Sequence, residues 1–145
     1  MRSTRSAFVA GLLLVLVVFG VGCSQNSEPR RYPVSGKVFY QGKPAHYAKV
    51  SFVPADHSED LTPAGALVDA DGEFHLLTNK RFDGAEAGQY LVSISWKIPG
   101  NPRSSDDPEY GPELLPKRFQ DPKTSGLSVT VEPTENEVPV FDLNP

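Results

Sequence analysis

The sequence predicts an all-β protein, an antiparallel β-sandwich of about seven strands with Greek-key connections. Three observations predict it. Apolar residues recur at every second position in several short runs, the period that puts alternate side chains on one face of a strand. Gly, Pro, Asp and Asn clusters separate those runs and supply the backbone angles that tight turns need. Fourteen prolines are spread along the 145 residues, and a proline inside a helix removes a hydrogen bond and clashes with the turn before it.

The first expected strand is Val34–Tyr40. Val34, Gly36, Val38 and Tyr40 share one face, and Ser35, Lys37 and Phe39 share the other. Gln41-Gly42-Lys43-Pro44 is a turn signal. The second strand, 47–54, sets Ala48, Val50 and Phe52 on one face, and Pro54 ends it. A polar loop follows, then a short strand over 64–69. Asp71-Gly72 turns the chain into the strand 73–78. A loop with Gly84 and Gly88 leads to the longest strand, 89–98, where Tyr90, Val92, Ile94 and Trp96 face one way. Such a stripe reads as core rather than as a sugar-stacking platform. Strands over 126–132 and 137–143 close the fold, joined by the Pro133-Thr134-Glu135-Asn136 turn. No helix is expected beyond one turn within 113–119.

Residues 99–122 break the pattern. Five further prolines fall from Pro102 to Pro122 inclusive, together with the acidic cluster Asp106-Asp107-Pro108-Glu109. A loop this long is either functional or disordered. Asp106, Asp107, Tyr110 and Phe119 are the candidate partner-binding residues within it.

The N-terminus reads as an export leader over 1–22. Arg2 and Arg5 precede an uncharged apolar run from Ala7 to Val21, and Gly22 is the small residue before Cys23, the single cysteine of the chain. Gly20-Val21-Gly22-Cys23 resembles the bacterial lipoprotein pattern and departs from it at Gly20, where leucine is usual. Three readings compete: lipid attachment at Cys23, ordinary cleavage near Gly22, and an uncleaved anchor, for which about 20 apolar residues are wanted. Lipidation accounts for a cysteine without a partner, and each buried methylene contributes about 0.8 kcal/mol of anchoring. All three export the remainder, as a polar tether over 23–32 and one domain over 33–145. The expected location is the cell envelope, on the periplasmic or outer side, with the membrane as one partner and an envelope protein as another.

Losing Arg2 and Arg5 with the leader takes the formal net charge from −4 to −6. An acidic surface argues against nucleic acid, which demands a basic footprint. No cofactor is expected. His46, His57 and His75 form no metal-ligand spacing, and no second cysteine exists for a thiolate site. Asp69 and Asp71 are weak calcium candidates, because Gly72 falls at the fourth loop position rather than the sixth. The carboxylate neighbours Glu59-Asp60 and Asp106-Asp107 adjoin in loops, whereas glycosidase carboxylates face each other about 5–10 Å apart. Catalysis is therefore not expected.

The ordered motifs carry a resemblance. The Gly42-Lys43-Pro44 turn, Val50-Ser51-Phe52, Asp69-Ala70-Asp71-Gly72-Glu73-Phe74 and Gly88-Gln89-Tyr90-Leu91-Val92 resemble, in that order, a carboxypeptidase regulatory-like domain. The stretch 115–143 is similar to small lipoproteins of this type in planctomycete-like bacteria. The resemblance implies a transthyretin-like sandwich and a non-catalytic structural or interaction role. A carbohydrate- or calcium-binding module supporting uptake or adhesion is the alternative. The hydroxyisourate hydrolases of similar fold end in Tyr-Arg-Gly-Ser, a tail that Phe141-Asp142-Leu143-Asn144-Pro145 does not match.

Overall fold

The structure, a computed structural model, describes residues 28–56, 61–99 and 110–145. The expectations for the leader, Cys23, most of the tether, His57, Glu59, Asp60, Asp106 and Asp107 lie outside these residues, as does that for the side chain of Tyr110. The described chain is all-β. Its strands are β1 (Arg31–Tyr32), β2 (Val34–Tyr40), β3 (Lys43–Pro44), β4 (Lys49–Pro54), β5 (Ala64–Leu67), β6 (Glu73–His75) and β7 (Ala85–Glu86). They continue with β8 (Gly88–Ser95), β9 (Lys97–Pro99), β10 (Tyr110–Glu113), β11 (Leu127–Val131), β12 (Asn136–Glu137) and β13 (Phe141–Leu143).

One sheet runs β11-β8-β4-β5, antiparallel throughout. The other is centred on β2, with β6 and β3 antiparallel on one side and β12 and β13 parallel on the other. Hence the sandwich is not purely antiparallel as expected. After β11 the chain crosses to the second sheet and returns in the direction of β2. Pro139 splits the last expected strand, since proline has no N–H for a ladder. The two sheets meet at a bridge between Gly65 and Leu77, made by two backbone hydrogen bonds of 2.9 Å.

The core lies between the sheets. Val50, Phe52, Tyr90, Val92 and Ile94 from the first face Val38, Phe74, Phe141 and Leu143 from the second, all buried. Phe52 packs on Tyr90 and on Phe74 at centroid distances of 5.9 and 6.4 Å, and Phe74 stacks on Phe141 at 6.1 Å. Gly36 makes this possible. A Cβ there would come within 2.5 Å of Val138 and 2.7 Å of Phe74, so the bare backbone is what lets the ring cross β2.

Three boundaries differ from expectation. Arg31 and Tyr32 belong to the fold rather than to the tether, because β1 pairs with β7. Tyr110–Glu113 pairs with Lys97–Pro99, so the proline-rich stretch has a β-ribbon stem. Lys117–Gln120 forms a 3-10 turn that buries Phe119 to 4% exposure. Phe119 is thus a core residue and not part of a partner-binding loop. Burying an aromatic ring removes a large apolar area from water, and that outweighs its place in a polar, proline-rich run.

Candidate functional site

The β9–β10 ribbon is fastened by one carboxylate. Glu113 accepts from the Ser95 hydroxyl at 2.7 Å, the Trp96 backbone N–H at 2.7 Å and the Leu115 N–H at 3.2 Å. Burial alone would raise the Glu113 carboxyl, but these donors and the nearby Lys97 outweigh it and hold it below its ordinary value. Next to this anchor, the Trp96 indole N–H donates to the His46 carbonyl at 2.7 Å, and its ring meets Tyr40 edge-on at 6.1 Å. Trp96 and Tyr40 therefore pack, partly buried, against the core, as the alternation of the expected strands 89–98 and Val34–Tyr40 implies.

The Trp96–His46 bond positions the turn that carries Tyr47. Tyr47 has φ +72°, the left-handed region that a bulky side chain rarely enters. Its ring stacks on His46 at 3.7 Å yet stays 47% exposed. Beside it, Leu67, Lys49 and Ser95 form a cross-strand row on the outer face of β5, β4 and β8. Leu67 is 66% exposed. With Lys97 these residues line an open groove of about 330 Å³. Chemically it offers two apolar surfaces flanked by two ammonium groups, on a protein that is acidic as a whole.

At another ribbon, β1–β7, Asp83 accepts from the backbone N–H groups of Thr78, Asn79 and Lys80 at 2.7, 3.1 and 3.0 Å. Arg31 lies 3.5 Å from Asp83 and 3.9 Å from Glu86, with all three side chains largely buried. Burial would raise the Asp83 carboxyl, but the three N–H donors and the guanidinium hold it below its ordinary value. Among the described residues this cluster fixes the start of the fold, where β1 pairs with β7. Gly84 sits beside it at φ +78°, where a Cβ would fall on the Tyr32 carbonyl.

The other sequence candidates are dispersed. Asp69 accepts the N–H groups of Asp71 and Glu73 at 3.0 and 2.8 Å, which makes it the staple of the Gly72 turn. His46 is stacked under Tyr47, while His75 is exposed on β6 against Phe82. Among the described residues no group of three or more His, Cys, Asp or Glu is placed to hold a metal ion, and no helix is long and apolar enough to cross a membrane. The sequence reasoning missed Tyr47, Leu67, Lys49 and Lys97. Leu67 had a signal, since Ala64, Ala66 and Val68 take the inward phase and leave it outside. The backbone angle of Tyr47 had none.

No protein-family model matches the chain, and no curated relative does. Among solved structures it is similar to the crystal structure of a DUF3823 family protein from Parabacteroides merdae, at 17% identity and a TM-score of 0.37. That match covers 77% of this chain and 45% of the other, so the chain spans less than half of that protein's length.

Proposed function

We propose that this chain is a lipid-anchored, non-catalytic envelope protein whose sandwich serves as a protein-interaction module. The observation that carries the reading is the exposed pair Tyr47 and Leu67 between Lys49 and Lys97. Single exposed apolar residues are ordinary on any protein. Two that adjoin, one of them on a strained backbone, mark a surface kept for contact. A partner presenting an apolar side chain with carboxylates around it would complement the groove. The ordered motifs that resemble a carboxypeptidase regulatory-like domain support the same class of role, and Cys23 after its apolar leader supports the anchor.

The test is a photo-crosslinking residue at position 67 in the full chain, expressed in its own envelope. A discrete adduct is expected at 67 and not at exposed Val140, and Lys49→Glu with Lys97→Glu should abolish it. Equal labelling at both positions, or none at 67, would remove the groove from consideration. Intact mass of the same preparation reads the lipid on Cys23 separately.

A further inference from the structure

A different surface, the edge of β11 that no described strand covers, fits a partner of defined kind. In β8 the Gln89 carbonyl accepts from Ala55, on the β4 side, while the Val92 carbonyl accepts from the Ser125 hydroxyl, on the β11 side. Residues of even number in β8 therefore aim their backbone groups at β11. Their register partners Leu127, Val129 and Val131 aim back at β8. By the alternation of a strand, Ser128 and Thr130 send their N–H and C=O groups outward. Among the described residues no strand other than β8 pairs with β11.

This edge lacks the usual protections. Its sequence, Leu-Ser-Val-Thr-Val, contains no charge, no proline and no glycine. Natural edges are normally blunted by lysine, proline or a bulge. The C-terminal edge of the other sheet shows such blunting, with Pro139 breaking it and Glu137 and Asp142 upon it.

We propose that β11 pairs antiparallel with β11 of a second copy of this chain, about a twofold axis through Val129. In that register Ser128 of each copy faces Thr130 of the other, and every outward N–H and C=O of the two residues gains a partner. The pairing is isologous and closes on itself, as dimer interfaces do. It also avoids like charges, which matters for an acidic chain. Glu132 would oppose Gly126, beside which the structure leaves open space, rather than another carboxylate. The exposed Ser128 and Thr130 hydroxyls would lie side by side across the junction, a favourable cross-strand pair.

The experiment uses the full chain extracted in mild detergent and weighed by native mass spectrometry at micromolar concentration. A dimer is expected. Thr130→Pro removes an outward donor without touching the β8 ladder, and should weaken the dimer by about tenfold or more while leaving the melting temperature nearly unchanged. Thr130→Lys is the second variant, should the proline disturb folding. Register is read by disulfide trapping on a Cys23→Ser background. Copies carrying Ser128→Cys should crosslink to copies carrying Thr130→Cys, since directly opposed Cα atoms lie about 5.5 Å apart. Ser128→Cys should not crosslink to itself, because the offset of two residues puts those atoms beyond about 7 Å. A monomeric wild type, a dimer indifferent to both Thr130 variants, or self-crosslinking of Ser128→Cys as ready as the mixed pair would each overturn the proposal.

Discussion

The β1–β7 and β9–β10 ribbons are both two-stranded additions to the sandwich, and each is pinned by one carboxylate with three donors. They differ in what surrounds the carboxylate. Asp83 sits against Arg31, with buried Glu86 on the other side of the guanidinium. Glu113 meets neutral donors, with the charge of Lys97 farther out. A buried ion pair fails badly when one partner is removed, because the other charge stays behind without compensation. A carboxylate held by neutral donors tolerates an uncharged acceptor of the same shape. Two similar ribbons should therefore break very differently.

The largest effect is expected at Gly84→Ala. The substitution adds a Cβ on top of the Tyr32 carbonyl at a left-handed φ, and should cost about 3 kcal/mol or more, read from urea unfolding. Retention of full stability would mean that β1 contributes nothing to the fold. Next is Arg31→Leu, which leaves Asp83 and Glu86 unpaired and should destabilise by about 2–3 kcal/mol. Glu113→Gln should cost only about 1 kcal/mol, with a red shift of Trp96 emission if the ribbon loosens. An equal loss at Arg31 and Glu113 would erase the distinction between the ribbons.

The pH dependence sharpens the same contrast. Asp83 and Glu113 both have carboxyls held below the ordinary value. Each thus stabilises the fold above the unfolded-state pKa of about 4, and that stability is lost as pH falls through the lower folded value. Urea midpoints measured from pH 6 downward should decline below about pH 4, and Asp83→Asn should flatten the decline. At the alkaline end, burial first and the nearby Glu86 second push the Tyr90 hydroxyl up to about 12. Its contribution is complete below about pH 10 and disappears as pH climbs toward 12. Tyr90→Phe should remove that loss in an alkaline titration, the smallest effect of the series.

Strand positions were legible in the sequence wherever period-two alternation met a turn. Val34–Tyr40, the inward stripe of Tyr90, Val92 and Ile94, and the Gly72 turn are all where the alternation puts them. The short pairings were not legible. Two residues such as Arg31–Tyr32 are too few to show a period, and their pairing depends on a partner more than 50 positions away. Phe119 was misread because its proline-rich surroundings look like solvent-exposed loop, and burial is decided by what packs above it. The groove was illegible for a related reason: the row Leu67, Lys49, Ser95 exists only once three strands are set in register.

The parallel pairing of β2 with β12 and β13 has a consequence for the order of events during biogenesis. Asn136 contacts Pro33 across 103 positions of sequence, and β2 has its far-side neighbour only when Phe141–Leu143 has emerged. Contacts so distant along the chain slow folding, because a long loop must close before the pairing compensates for it. A chain synthesised from its N-terminus thus keeps its second sheet open until Phe141–Leu143 has emerged.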